Sequence, residues 1–365
     1  MFVLLVAHRL FSSLPVNSRK YTLPCSVLLL IAIGVPEVMG GDDPERQEVV
    51  VVVGAAGSEE YASMFQSWAE RWETAAKSAD AGFVAIGLDN APSDDNALSD
   101  KNALSQTIEK LTADPSREPL WIILIGHGTF DGRTARFNLR GPDITANATA
   151  ALLNSKRPIA LINCSSSSAP FINAVSGSNR VVLTATKDGG QFQVARFGEA
   201  LSAAIAGQVA DLNRDGQVSL LEAWVLAARR TEEFYKSNGR LATEHSLLDD
   251  NGDGLGSRVS AYEGGQLRVA DENTDADGSL ARRWHLIRSD EERRLSGQQR
   301  ERRDELEKRL EEIKRQPEDH TDFDHLNQLE SVLLPLAQLY QEIAAGESET
   351  KKPSEDAANS EKTHN

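Results

Sequence analysis

Two side chains suited to nucleophile–base chemistry, and one loop rich in oxygen donors, stand out in the 365-residue chain. His127 follows the apolar run 120–126 directly and is followed by Gly128. Cys164 follows a second apolar run, 159–163, and opens a string of serines, Ser165 to Ser168. A cysteine attacks carbonyl carbon as its thiolate, and an adjacent imidazole can take up the proton. The donor-rich loop runs from Asp211 to Glu222. It has oxygen ligands at positions 1, 3, 5, 9 and 12 (Asp211, Asn213, Asp215, Ser219, Glu222), with the Gln217 carbonyl at 7. Gly216 takes the sharp turn at position 6, and a helix is expected from Glu222 to about Tyr235. That pattern is the EF-hand loop, so it predicts Ca2+ as the bound cation.

The elements that must position His127 and Cys164 are two short, continuous, β-branched runs. Continuous rather than alternating hydrophobicity is how strands buried on both faces of a parallel sheet read. A right-handed βαβ crossover sets two such strands side by side, with their C-terminal ends on one edge. Ligand crevices of open α/β folds lie on that edge.

An apolar block ending in His-Gly, then a second ending in Cys, resembles the caspase–legumain group of cysteine peptidases. The likeness covers roughly residues 48–230. It implies an α/β fold with a mostly parallel sheet flanked by helices. It also implies a His127–Cys164 dyad with the Gly128 amide as oxyanion donor, and a peptide or protein substrate. In that family the cysteine is usually followed by x-Ser-Gly. The best match to that trio is Ser167-Ser168-Ala169, which places Ser166 at the nucleophile position instead. Two readings follow. One is an exported cysteine endopeptidase. The other is a pseudo-peptidase that binds peptides or partner proteins without cutting them. A weaker third uses Ser166 as nucleophile with His127.

Further strands are expected at 48–54, 83–87 and 180–186. A helix carrying Phe65, Trp68, Trp72 and Ala75 on one stripe should follow the first, and another should bury Leu104, Ile108 and Leu111. A small hairpin is expected around 135–139, then a helix capped by Asp143 or Thr145. The helix 197–206 closes the sheet domain, and the loop 187–190 leaves the same strand-end edge.

Lys+Arg of 39 against Asp+Glu of 55 gives a net charge of −16, which argues against a nucleic-acid partner. Arg19 and Lys20 precede the apolar run 23–35, so residues 1–40 read as a signal peptide for a secreted or periplasmic protein, cut ahead of Gly41. A retained anchor is the alternative. Cys25 lies in that segment, leaving Cys164 as the one cysteine of the mature chain. The domain plan is then 41–235 for the peptidase-like domain and 236–288 for an acidic, loop-rich extension. Residues 289–345 follow as a helical hairpin, and 346–365 as a disordered tail. Within the extension, Asp249 to Gly254 repeats the start of the calcium loop but has Ser260 where the terminal Glu belongs, a half-site. The run 271–278 reads as an acidic loop. In the hairpin, Leu306, Leu310 and Ile313 form one stripe and Leu326, Leu329, Leu333, Leu336 and Ile343 another, a surface suited to self-association.

Overall fold

The computed structural model describes residues 46–88, 99–113, 116–263, 266–267, 277–314 and 323–350. The expected signal peptide and tail beyond 350 lie outside them. Among the described residues no helix is long and apolar enough to cross a membrane.

The first half of the chain alternates strand and helix. β1 (Glu48–Val53) leads to α1 (Glu59–Ser78), β2 (Gly82–Ile86), α2 (Asp100–Ala113) and β3 (Leu120–Ile125). A three-stranded flap follows, β4 (Gly128–Phe130), β5 (Ala135–Phe137) and β6 (Ile144–Thr145). Then come α3 (Ala146–Leu152), β7 (Ile159–Asn163), α4 (Pro170–Val175), β8 (Arg180–Thr184), α5 (Phe197–Ala206) and α6 (Leu220–Ser237). The Thr145 side chain caps α3 by accepting from the Ala148 amide (3.1 Å).

The central sheet has seven strands in the order β10-β9-β8-β7-β3-β1-β2. The five strands expected from the apolar runs are mutually parallel. Alternate side chains of each strand face opposite layers. Val49, Val51, Val53, Trp121, Ile123, Ile125, Ile162 and Cys164 join Phe65 and Trp68 of α1, Leu201 of α5 and Trp224 of α6. Val50, Val52, Ile122, Leu124 and Leu161 pack instead with Leu104 and Ile108 of α2 and Phe171 of α4. This is the doubly covered parallel sheet that unalternating hydrophobicity demands.

The extension departs from expectation. It is no appendage to the sheet domain: β9 (Leu247–Asp249) and β10 (Ser257–Arg258) complete the central sheet, with β9 antiparallel to β8. A small ladder of β11 (Tyr262–Glu263) and β12 (Gln266–Leu267) follows. Residues 277–289 then run as a strap over the sheet's opposite end. The Gln47 side chain ties the strap to β1, donating to the His285 and Leu286 carbonyls (3.3 and 3.1 Å) and accepting from the Trp121 indole (2.8 Å).

The C-terminal helices are α7 (Asp290–Arg293), α8 (Gly297–Lys314) and α9 (Phe323–Thr350). Helix α9 passes the expected boundary at 345. Its buried seam also differs: Val332 and Leu339 are buried with Ile313, whereas Leu326 and Leu333 are exposed. The seam through Leu329, Val332, Leu336, Leu339 and Ile343 steps alternately by three and four residues. That is the spacing of two long helices packed side by side. Buried Glu118, just before β3, holds this region by ion pairs to both Arg288 and Arg300.

Candidate functional site

The strand ends that should carry the site are adjacent, with Leu124 of β3 paired to Asn163 of β7. His127 projects from the β3 end over α1. Its ring packs edge-on against Tyr61 and Phe65, with centroids 5.3 and 5.5 Å away, and its Nε2 lies 3.0 Å from the Ala56 carbonyl. With Nε2–H donating there, Nδ1 is left as the acceptor. The base is therefore held in one orientation.

Cys164 lies in the core. The residue is 1% exposed and belongs to the core layer beneath α5. The fit there is tight: a β-carbon added at Gly198 would lie 2.9 Å from the Cys164 Cβ and 2.8 Å from the Trp68 ring. Burial pushes the thiol far up from its ordinary value, and the nearby charge of Glu244 pushes it further. Glu244 is itself fixed by the Arg196 and Phe197 amides at the start of α5 and by the Tyr235 hydroxyl. The reason is the pleat: Cys164 follows Ile162 by two residues, so it continues that side chain's inward face. The expected surface thiolate is corrected to a buried thiol.

Ser166 does meet the His-Gly turn. Its Oγ accepts from the Gly128 amide (3.2 Å) and donates to the Gly128 carbonyl (3.1 Å). The Gly128 N–H expected to serve as oxyanion donor is thus already engaged. The approach is close, since a β-carbon at Gly128 would fall 2.4 Å from the Ser166 carbonyl oxygen.

The other serines have parallel tasks. Ser165 Oγ donates to Asn163 Oδ1 (2.6 Å), and the Ser167 amide donates to the Gln191 carbonyl (2.8 Å). Ser168 Oγ accepts from the Ala185 and Thr186 amides (3.0 and 3.2 Å). All four serines are buried, and Ser167 takes a left-handed φ of +50°. The serine string is a buried turn in which the Ser166 and Ser168 hydroxyls satisfy backbone groups just past β3 and β8, and Ser165 holds the Asn163 side chain at the end of β7.

The flap and the loop after β8 meet beside this turn. Phe130 of β4 presses on Gly189, and Phe192 is 72% exposed. Sequence reasoning missed both aromatics because single exposed phenylalanines carry no pattern. His245 lies behind this loop, with Nδ1 2.7 Å from Gln191 Nε2.

The loop 211–222 has the turn its sequence calls for. Gly216 lies at φ +86° and Arg214 at +61°. Asp211 accepts from the Asp215 and Gly216 amides (3.1 and 3.0 Å), and Asn213 Oδ1 from the Asp215 amide (2.9 Å). Glu222 forms a capping box with Ser219 at the start of α6, and its other oxygen accepts from the Leu212 and Asn213 amides. As the side chains stand, no group of three or more His, Cys, Asp or Glu among the described residues is gathered tightly enough to hold a metal. The donor set is of the right chemistry, but Glu222 would have to exchange its backbone partners for the ion.

The chain is an α/β protein with a mostly parallel central sheet flanked by helices. No family model matches it, and no curated protein does either. Among solved structures it is similar to the Drosophila initiator caspase Dronc, at 12% identity and a TM-score of 0.37, over 59% of this chain and 82% of that one.

Proposed function

We propose that the crevice between His127, the flap and the loop 187–196 is a peptide-binding site without hydrolytic activity, the pseudo-peptidase of the two readings. The observation that carries this is the fate of both nucleophile candidates. The Cys164 thiol lies in the core, and the Ser166 hydroxyl is closed into a two-bond clasp with Gly128. The remaining groups suit recognition: an oriented imidazole, exposed aromatic rings and a strand-end opening. Neither residue available there can form an acyl intermediate without rebuilding the turn.

The test combines labelling, turnover and binding. Iodoacetamide should modify Cys164 slowly at neutral pH, at a rate that His127→Ala leaves unchanged. A peptide library should show no cleavage, while displayed peptides that bind should lose affinity on Phe192→Ala. Turnover abolished by both Cys164→Ala and His127→Ala would establish the peptidase instead.

Three subsidiary proposals complete the reading. Loop 211–222 binds calcium through Asp211, Asn213, Asp215, Gln217, Ser219 and Glu222, supported by its sequence pattern and its turn. A thermal shift in millimolar calcium that Glu222→Gln removes is expected. The protein is exported and loses residues 1–40, supported by the charged and apolar leader; N-terminal sequencing of the secreted form reads this directly. Self-association through α9 is supported by the exposed Leu326, Leu333 and Leu334; a monomeric sedimentation coefficient at micromolar concentration would exclude it.

A further inference from the structure

The segment 249–257 repeats much of the bonding of the loop 211–219, although its first residue, Asp249, accepts from the fourth amide, Gly252 (3.2 Å), where Asp211 accepts from the fifth and sixth. In the first loop the third residue, Asn213, donates its amide to Asp215 Oδ2 and accepts from the Asp215 amide (2.8 and 2.9 Å). In the second, Asn251 does the same with Asp253 (3.1 and 2.8 Å). The fifth residue accepts from the amide of the seventh in both: Gln217 to Asp215 (3.0 Å), Leu255 to Asp253 (2.7 Å). The fourth and sixth residues lie at positive φ in both, at +61° and +86° for Arg214 and Gly216, +82° and +74° for Gly252 and Gly254. Serine occupies the ninth position of each, Ser219 and Ser257.

What the second loop lacks in sequence is the terminal carboxylate. The fold supplies one from elsewhere. In the first loop one Glu222 oxygen accepts from the amides of the second and third residues, Leu212 and Asn213, and the other accepts from the Ser219 hydroxyl. In the second loop one Asp277 oxygen accepts from the second and third amides, those of Asp250 and Asn251 (2.9 and 3.3 Å). Its other oxygen accepts from the Ser257 hydroxyl (2.6 Å). Asp277 therefore stands where a twelfth-position acid would, although it lies on the strap. It is kept there by Asp250, whose carboxylate takes the amides of Gly278, Leu280 and Ala281 at 2.7 to 2.8 Å.

A second, independent observation points to a ligand. Asp249, the first residue of the loop, is 1% exposed, and its Oδ2 is buried without a hydrogen-bond partner. Ser176 and Gly254 lie near enough to act on it electrostatically, but they bond one another (3.1 Å) rather than close normal bonds to this oxygen. Asp253 and Asp277 are the neighbouring acids. A buried, unpaired carboxylate oxygen among like charges is costly unless a cation or proton neutralises it.

We propose that Asp249, Asn251, Asp253 and Asp277, whose three carboxylates are not gathered tightly as the side chains stand, draw together on a hard divalent cation, calcium in preference to magnesium, in a second site that the strap completes. Carboxylate, amide and carbonyl oxygens on a glycine-hinged turn suit the larger, less regular coordination shell of calcium. The site stands on Asp249 and Asp277 and does not require that the loop 211–222 bind an ion.

The test is calorimetric titration of the full mature chain with calcium chloride, with stoichiometry as the readout. Glu222→Gln should retain one bound calcium per chain. Asp277→Asn and Asp253→Asn should each bind one fewer than the unaltered chain. Two ions in the unaltered chain mean that both loops bind. One ion that survives Glu222→Gln and is lost in Asp277→Asn supports this site while refuting the first. No calcium bound by Glu222→Gln, or an unchanged stoichiometry in folded Asp253→Asn, overturns the inference. Circular dichroism confirms folding. Terbium gives a second readout: Tyr262 donates to the Asp277 carbonyl (2.8 Å), so Tyr262→Phe should remove most tyrosine-sensitised emission from this site.

Discussion

Replacing Cys164 distinguishes a core thiol from a catalytic one without any substrate. The side chain sits under α5 among Phe65, Trp68, Phe197 and Leu201, with 1% of its surface exposed. Cys164→Ala removes one sulfur from this packing. Lost transfer free energy of about 0.8 kcal/mol, plus a cavity of about one methyl group, gives about 1–2 kcal/mol. Cys164→Ser keeps the volume but puts a hydroxyl where the surroundings are apolar. Leaving that group unpaired adds about 1–3 kcal/mol to the loss of the sulfur's apolar contacts, for a total of about 2–4 kcal/mol. Stability should thus fall in the order Cys, Ala, Ser. Urea unfolding reads this as a falling midpoint at constant slope. A thiol at the mouth of a crevice would lose almost nothing on becoming a hydroxyl. Cys164→Ser within about 0.5 kcal/mol of the unaltered chain, or more stable than Cys164→Ala, would refute the core assignment, since surface changes fall in that range.

Gly198→Ala should cost about 1–3 kcal/mol by overpacking, because its β-carbon would fall 2.8 Å from the Trp68 ring; thermal unfolding checks it. Glu118→Gln should cost about 3 kcal/mol, since it leaves two arginines without their buried partner; limited proteolysis should then cut α8 sooner. A pH effect should come from His285, whose burial, with Arg303 and Arg288 beside it and Glu292 and the Arg283 carbonyl opposing, lowers its pKa from 6.5 to about 4. Between those values the unfolded chain takes up a proton that the folded chain refuses, so stability falls with pH through that window, by about 3 kcal/mol at most. Asp277, raised to about 6 by burial, acts in the opposite direction. The comparison to make is therefore stability against pH for the unaltered chain and for His285→Phe, whose loss on acidification should be the smaller.

Much of the sheet was legible because buried parallel strands need unbroken β-branched runs, and β1, β3, β7 and β8 are such runs. Helix α1 was legible from its aromatic stripe. The crevice was less so. Whether Cys164 faces the core or the opening depends on where β7 stops pairing with β3, and a two-residue pleat period says nothing about where a strand ends. The serines look like a reactive string, yet the Ser166 and Ser168 hydroxyls answer backbone groups whose positions only the fold sets. Strands β9 and β10 were missed because runs of three and two residues carry no period. The place of Asp277 beside the loop 249–257 was missed because its partners there lie twenty or more residues away, and the acidic run around it reads as solvated loop.

The pairing of β9 with β8 bears on where this protein can be cut. The boundary at 235 expected from sequence is a change of composition, not the end of a folding unit. A chain ending before 247 would leave β8 as an open edge, with Val181, Val182 and Leu183 behind a row of unpaired amides. Such an edge is a template for pairing with another chain. A fragment of that kind should aggregate on expression, and one carried past 303, keeping β9, β10, the strap and both arginine partners of Glu118, should not. The acidic stretch that looks dispensable in the sequence is thus what keeps the sheet from growing.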